Sequence, residues 1–350
     1  MLSYQVVEWG APLEPRSFAT PEPAGTEVLV RVEACGVCHS DLHIWSGGFD
    51  LGGGNRALLE ARGVRLPLTM GHEPVGVVEA VGPEAEGVAV GERRIVFPWI
   101  GCRRCAACAR GDDNLCATPQ FIGARVDGGY SDHVLVPHPK YLVDYSGVPR
   151  DLAATYACSG ITAYGALKKL GELDAADSVL LIGAGGVGLN GLQLAPSVTP
   201  ARVLVADVDP AKRAAARQAG AHDTVDNADP RAVTTLREMS HGGIAAAIDF
   251  VGRPETFQLG MDVLRKGGTL VVVGLYGGAC TVPVPMFPFT AMSVRGSYVG
   301  TLAEMHELMA VVRAGGVAPI PIERRPLAEA NQALRDLQQG RVLGRLVLEP

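Results

Sequence analysis

From the N-terminus to about residue 155, short runs such as Glu27–Glu33 (EVLVRVE) and Pro74–Val81 (PVGVVEAV) stand between Gly- and Pro-rich breaks. This texture predicts an irregular, mainly β unit. Between about 160 and 295 it changes to near-continuous apolar runs (SVLLIG, ARVLVADV, AAAIDFVG, GTLVVVG) separated by Ala-rich helical stretches. Apolar runs without alternation suit strands covered on both faces, and their alternation with helices predicts βαβ units in a parallel sheet. After about 297 the pattern gives a Leu/Met-rich helix over Leu302–Arg313, a Pro turn and a second helix near Leu327–Gln339. The terminal apolar run Gly344–Glu349 is then available to pair back with the first unit. There is no internal repeat, and the one low-complexity tract is LGGG at residues 51–54.

At 350 residues the chain suits two domains, and 47% hydrophobic residues with a mean hydropathy of +0.18 provide for sizeable cores. A formal net charge of −6 and a pI near 5.8 argue against nucleic acid or anionic lipid as partner. The N-terminal MLSYQVVEWG has no basic segment leading into an apolar one, and no stretch reaches the ~20 apolar residues of a membrane span. The expectation is a soluble, cytoplasmic protein. Four of the eight cysteines crowd into one short window, which points to metal rather than disulfides.

The run SVLLI leads straight into Gly183-Ala184-Gly185-Gly186-Val187-Gly188, a GxGxxG pattern followed by the helical stretch LNGLQLA. In this setting the first glycine permits a tight turn and the second lets backbone approach a pyrophosphate. The third lets helix and strand pack closely, and the helix N-terminus offers free amides to the anion. A second predicted strand ends in Asp207, nineteen residues after Gly188, near the ~20-residue offset of a ribose 2′-OH acceptor. A carboxylate there repels a 2′-phosphate, so NAD is expected over NADP, with Lys212 and Arg213 nearby to weaken that preference. Pro196 should end this helix early.

Cys102, Cys105, Cys108 and Cys116 form CxxCxxCx7C, a spacing able to wrap four thiolates around one zinc at about 2.3 Å per bond. Ferredoxin spacings differ from it. Arg103, Arg104 and Arg110 would offset the negative charge of such a centre. A closed four-thiolate site leaves no open position, so its role is structural. A zinc-ribbon binding module would use the same element, but the net charge of −6 disfavours a nucleic-acid partner.

An open, catalytic zinc needs about three protein ligands and an exchangeable water. The segments CGVCHSDLH (Cys35–His43) and GHEP (Gly71–Pro74), with the lone Cys158, offer Cys35, Cys38, His39, His43, His72, Glu73 and Cys158 as donors. The residues alone do not choose among them.

Taken in order, CGVCHSDLH, GHEPVG, the four-cysteine cluster, Cys158 before Gly160-Ile161-Thr162 and the glycine fingerprint resemble the zinc-dependent medium-chain alcohol dehydrogenases over nearly the whole chain. The resemblance implies an α/β fold with a GroES-like, mainly β catalytic domain over residues 1–157, including a structural zinc lobe at about 98–118. A Rossmann domain, a doubly wound parallel sheet that binds NAD, would follow over 158–296, and a C-terminal segment, 297–350, would return to the catalytic domain.

It further implies that Cys38, His72 and Cys158 ligate the catalytic zinc, with Glu73 just behind the metal and at times replacing its water. Asp41 would orient His72. NAD and two zinc ions per subunit would serve reversible hydride transfer from a primary or secondary alcohol, giving an aldehyde or ketone. The alternative within the same superfamily is a polyol, amino-alcohol or alicyclic hydroxyacyl-thioester dehydrogenase. A cysteine at 158 suits the alcohol branch, since the polyol branch tends to carry glutamate there. The proton would leave through Ser40, the cofactor's ribose hydroxyl and His43. Thr162 and Val187 would hold the nicotinamide, and His39 and Arg345 would contact phosphate. Family members are commonly dimers or tetramers, so a homo-oligomer, a homotetramer or dimer, is expected.

The chain departs from the family in one place. His72 follows Cys38 by 34 positions, and the extra length lies in SGGFDLGGGNRALLEARGVRLP, around residues 46–67. A mobile Gly-rich start and two helical turns over Asn55–Arg62, capped by Asn55, are expected to form a substrate-gating loop. Trp45 and Trp99 are candidate walls of an apolar pocket, and Cys35 and Cys280 are read as buried apolar thiols.

Overall fold

A computed structural model describes residues 1–350. The apolar run Val28–Val37 is the central strand of a mixed seven-stranded sheet. Across that sheet the order is Leu142–Asp144, Arg93–Val96, Pro74–Val81, Val28–Val37, Arg345–Glu349 and Ile322–Pro326, with His133–Val136 also pairing with Val28–Arg31. The terminal strand lies antiparallel to the central one, with Leu346 opposite Val37 and Leu348 opposite Cys35. The end of the chain thus returns to a sheet begun some 300 residues earlier, where Leu346, Val347 and Leu348 are buried.

The second sheet has six parallel strands in the order Asp223–Val225, Arg202–Ala206, Ser178–Ile182, Ile244–Asp249, Leu264–Val272 and Ser293–Gly296. Numbered along the chain this is 3-2-1-4-5-6, the doubly wound Rossmann arrangement, with a crevice where the order reverses beyond Ile182 and Asp249. Val179, Leu180, Leu181 and Ile182 are fully buried, which is why SVLLI shows no alternation. The helix Gly186–Leu194 stops ahead of Pro196 and tightens into a 3-10 turn over Ala195–Ser197. Leu302–Arg313 is helical as its pattern predicts. Thr301 and Glu304 close its start reciprocally, Glu304 N donating to Thr301 Oγ1 (3.1 Å) and Thr301 N to Glu304 Oε2 (2.8 Å).

One apolar cluster of 71 buried residues takes Val30 and Val75 from the first sheet, Val179 and Leu181 from the second, and Met305 and Leu308 from the C-terminal helix. The two sheets therefore pack as one body. The transition between them falls within an unbroken helical run from Arg150 to Leu167. No helix is long and apolar enough to cross a membrane.

Three expectations are corrected. Residues 48–58 form a hairpin, Gly48–Gly52 against Asn55–Leu58, rather than a helix, with only a 3-10 turn at Glu60–Arg62. The cause is the Gly52-Gly53-Gly54 turn, with φ of +80°, +60° and +81°, which reverses the chain before a helix can start. Asn55 spends its side-chain amide on Gly52 O instead of capping. Trp45 donates its indole N–H to Ala11 O (2.6 Å) and does not line the cleft. Cys280 is exposed, on the irregular segment after Val272, whereas Cys35 is buried.

Candidate active site between the two sheets

Three distant segments meet at the junction. Cys38 directly follows the central strand and opens the short helix His39–Trp45; His72 and Glu73 precede the strand Pro74–Val81. Cys158 sits in a π-helical turn, Tyr156–Gly160, inside the long helical run. Such turns often mark functional positions because they re-aim a side chain. Cys38, His72, Glu73 and Cys158 are all buried and bring their ligand atoms within 4.8 Å of one another. Cys38 Sγ and Cys158 Sγ are 3.9 Å apart, close to the ~3.8 Å separation that tetrahedral Zn–S bonds of about 2.3 Å require. His72 donates from Nδ1 to Asp41 Oδ1 (3.0 Å), while its Nε2 is buried without a partner. That tautomer leaves a lone pair aimed at the cluster, so the donor set fits a zinc ion.

The ionisable groups of the cluster act strongly on one another. The hydrogen bond shared with Cys158 brings the Cys38 thiol well below its ordinary range and lifts Cys158 well above. Burial opposes charge on His72, but the Asp41 carboxylate and, after it, Cys38 together outweigh it and hold the imidazole well above its usual value. Burial pushes Glu73 up to about 7 against the pull of Arg345. Arg345, reaching in from the terminal strand, lines the cleft, but its Nη2 is bound to Glu73 Oε2. Asp41 Oδ2 also accepts from Cys38 N (2.9 Å) and from the Tyr130 hydroxyl (2.9 Å), so one buried carboxylate braces two of the three segments.

The cluster opens into a cavity of about 1040 Å³ that also contains Ser40, His43, Thr162 and the glycine fingerprint. His43 Nε2 and Thr162 Oγ1 are buried and unpartnered. Desolvation holds His43 below its ordinary value. Trp99 forms a wall as expected, its ring 5.5 Å from His72 and its indole N–H bound to Ala157 O (3.0 Å).

On the dinucleotide side, a Cβ on Gly188 would lie 1.8 Å from Gly183 O, so the helix can approach the strand only with glycine there. At Gly185 a Cβ would meet nothing and would project into open space. This is a cradle with room for a pyrophosphate, and it fits the expected cofactor. Asp207 directly follows the strand Arg202–Ala206, with Oδ2 accepting from Ala184 N (2.7 Å) and Oδ1 from Asp209 N (2.8 Å). Asp207, Gly186, Val187 and Lys212 all face the cavity. Arg213 does not; it binds Asp226 (3.1 Å) and Asp207 O (2.7 Å).

The four cysteines of the 102–116 segment also converge within 4.8 Å. Arg103 takes a left-handed φ of +61° there, turning the chain back so that Cys105 Sγ lies 3.5 Å from Cys108 Sγ and 3.8 Å from Cys116 Sγ. No fifth donor joins them, as a closed site requires.

Sequence reasoning missed Tyr130, the Glu73–Arg345 pair and the loop that bridges the cleft. Tyr276 stacks on His39 (4.7 Å between ring centres) and lies under the Arg253 guanidinium (3.8 Å). Beside it the hairpin backbone packs directly on the same loop: a Cβ on Gly52 would be 2.7 Å from Ala279 N. None of these pairings leaves a local pattern, because each partner lies tens to hundreds of residues away.

Comparison with known proteins agrees with this geometry. The alcohol dehydrogenase GroES-like domain model matches residues 24–146, and the zinc-binding dehydrogenase model matches residues 186–314. The NAD-dependent alcohol dehydrogenase of Sulfurisphaera tokodaii is 36% identical over 352 aligned positions, covering 100% of both chains. An alcohol dehydrogenase of Geobacillus stearothermophilus is 32% identical, covering 98% of this chain and 97% of its own. The crystal structure of the Aeropyrum pernix alcohol dehydrogenase superposes with a TM-score of 0.90 at 32% identity over 100% of both chains. With both domain models in register and full-length relatives above 30% identity, the chain belongs to the zinc-dependent medium-chain alcohol dehydrogenase family.

Proposed function

We propose that this chain is an NAD- and zinc-dependent alcohol dehydrogenase that interconverts a primary or secondary alcohol with its aldehyde or ketone, using Cys38, His72 and Cys158 to hold the catalytic metal. The observation that carries this reading is the meeting of those three side chains, from three remote segments, in the cavity that also contains Gly183–Gly188. When bound, zinc lowers the pKa of the substrate hydroxyl and NAD accepts the hydride.

The chain's own residues do the rest. Asp41 holds His72 in the tautomer that presents Nε2, and Glu73, restrained by Arg345, supplies a carboxylate behind the metal. Ser40 Oγ receives the substrate proton and His43, neutral near pH 7 because desolvation lowers its pKa, releases it to solvent. Thr162 Oγ1 and Val187 orient the nicotinamide, the glycines and His39 meet the pyrophosphate, and Asp207 and Lys212 meet the adenosine ribose. Trp99, Phe121 and Tyr298 exclude water from the substrate side. Cys102, Cys105, Cys108 and Cys116 hold a second, structural zinc.

In this reading residues 1–157 contribute the metal site apart from its ligand Cys158, 158–296 contribute that cysteine and the dinucleotide site, and 297–350 close back onto the first unit. A cytoplasmic homo-oligomer, dimer or tetramer, is part of the same proposal. The unpaired outer edge of Ser293–Gly296 supports the oligomer. The test is a zinc count beside NADH absorbance across primary, secondary, aromatic and alicyclic alcohols. About two zinc ions per chain are expected, with turnover abolished by Cys38→Ser; one zinc in fully active enzyme would sink the reading.

A further inference from the structure

The substrate side of the cavity runs from His72 and Cys158 along an aromatic wall. Trp99 stands 5.5 Å from His72, Phe121 is 5.3 Å from Trp99, and Tyr298 is 6.0 Å from Trp99 and 6.2 Å from Phe121. Arg62 and Arg125 line this cavity too. Tyr298 lines the same cavity as Cys158, Arg62 and Arg125, so the aromatic wall spans from the cysteine cluster to the arginines. Beyond the arginines a second, smaller cavity of about 400 Å³ opens, and Arg62 and Arg125 are its only charged residues, among Ala117, Thr118, Pro119 and Gln120.

Neither guanidinium has a carboxylate partner in this chain; the side-chain bond Arg125 makes is from Nη1 to the Arg62 backbone carbonyl, which ties the Arg125 side chain to the turn that carries Arg62. Other arginines are paired, as Arg325 and Arg341 are with Asp336 and Arg94 is with Glu92 and Asp144, or stand unpaired on the exposed surface, as Arg65 and Arg104 do; Arg62 and Arg125 differ in lining a cavity together. Two cations that line one small cavity repel each other unless an anion lies between them. The guanidinium fork matches the two oxygens of a carboxylate or phosphate. In a protein of net charge −6 such a pair also makes a local attractor for an anion at the mouth.

We propose that Arg62 and Arg125 receive an oxyanion, carboxylate or phosphate, carried by the substrate at the end remote from its hydroxyl, with the aromatic wall covering the apolar spacer between. This rests on the dehydrogenase reading and narrows it to alcohols with an anionic tail. The insert contributes Arg62 from its 3-10 turn Glu60–Arg62, so it supplies half of the recognition site.

The test titrates the zinc-loaded enzyme, saturated with NADH so that alcohols bind without turnover, with ω-hydroxycarboxylates of increasing length, their neutral amides and ω-hydroxyalkyl phosphates, by calorimetry. NADH formation on the same compounds is followed in parallel. At one chain length a charged ligand should bind at least about tenfold tighter than its amide, as charge-assisted bidentate bonds provide. Arg62→Gln and Arg125→Gln should each remove most of that advantage, lysine at either position should restore part of it, and salt should weaken it. A larger gain for the acids identifies a carboxylate, and a larger gain for the phosphates a phosphate ester.

Equal binding of charged and neutral ligands at every length overturns the proposal, as does an advantage that survives the double substitution. Turnover of neutral alcohols with no charge preference would leave the dehydrogenase standing without this subsite. A charge preference lost on substitution, with no NADH formed from any alcohol, would keep the oxyanion site and overturn the dehydrogenase.

Discussion

Asp41 carries more of the site than its place in the first turn of a short helix suggests. It is fully buried, and its two oxygens accept from His72, the Cys38 amide and Tyr130. Loss of a hydrogen-bond partner behind a metal-bound imidazole typically costs 10–100-fold in metal affinity. Asp41→Ala should therefore weaken zinc retention by about that factor, read by competition with a chelator, while the four-cysteine site keeps its ion. His43 makes a second prediction at this scale. Its pKa is lowered from 6.5, so the imidazole is neutral at pH 7 and can take up a proton; acidification below that lowered value protonates it and should slow alcohol oxidation. His43→Gln should remove this acidic limb from the kcat/KM profile and cost up to about 10²-fold in rate.

Among the elements, the hairpin Gly48–Leu58 and the helix Ala330–Gln338 show how packing decides what pattern leaves open. A hydrophobicity reading cannot separate a short helix from a hairpin over NRALLEAR; three consecutive left-handed glycines and the docking of Gly52 on Ala279 settle it. The helix is fastened through Asp336, which binds Arg325 Nη1 (2.6 Å) and Arg341 Nε (3.1 Å). The Arg325 bond, ahead of those from Arg341 and Gln332, brings the Asp336 carboxyl down to about 2. A depressed carboxyl pKa stabilises the fold above the unfolded value of about 3.9, and that contribution fades as pH falls toward 2. Asp336→Asn should thus cost about 1 kcal/mol near neutral pH after solvent screening. Thermal melts should show the gap between variant and parent closing by about pH 2.

For the whole molecule, the separation of a closed metal site from an open one predicts separable losses. Cys105→Ser should remove one zinc equivalent and lower the melting temperature, with the remaining zinc still supporting turnover at low temperature; metal analysis beside thermal melts checks it. The parallel sheet was legible in the sequence because strands buried on both faces must be apolar throughout, and the glycine fingerprint because only glycine allows Gly188 to approach Gly183 so closely. The four-cysteine lobe was legible because its donors lie within one short stretch. The rest was not. Cys38, His72 and Cys158 were candidates among seven donors until resemblance singled them out, since spacing says nothing about segments that meet only when two sheets pack. The Glu73–Arg345 pair, Tyr276 between His39 and Arg253, and Arg62 beside Arg125 left no trace along the chain at all. Local backbone geometry and burial write themselves into composition and period, so the chain alone determined the strands of its parallel sheet and its dinucleotide cradle. Contacts between remote side chains depend on how whole elements are oriented, and only the tertiary structure decided those.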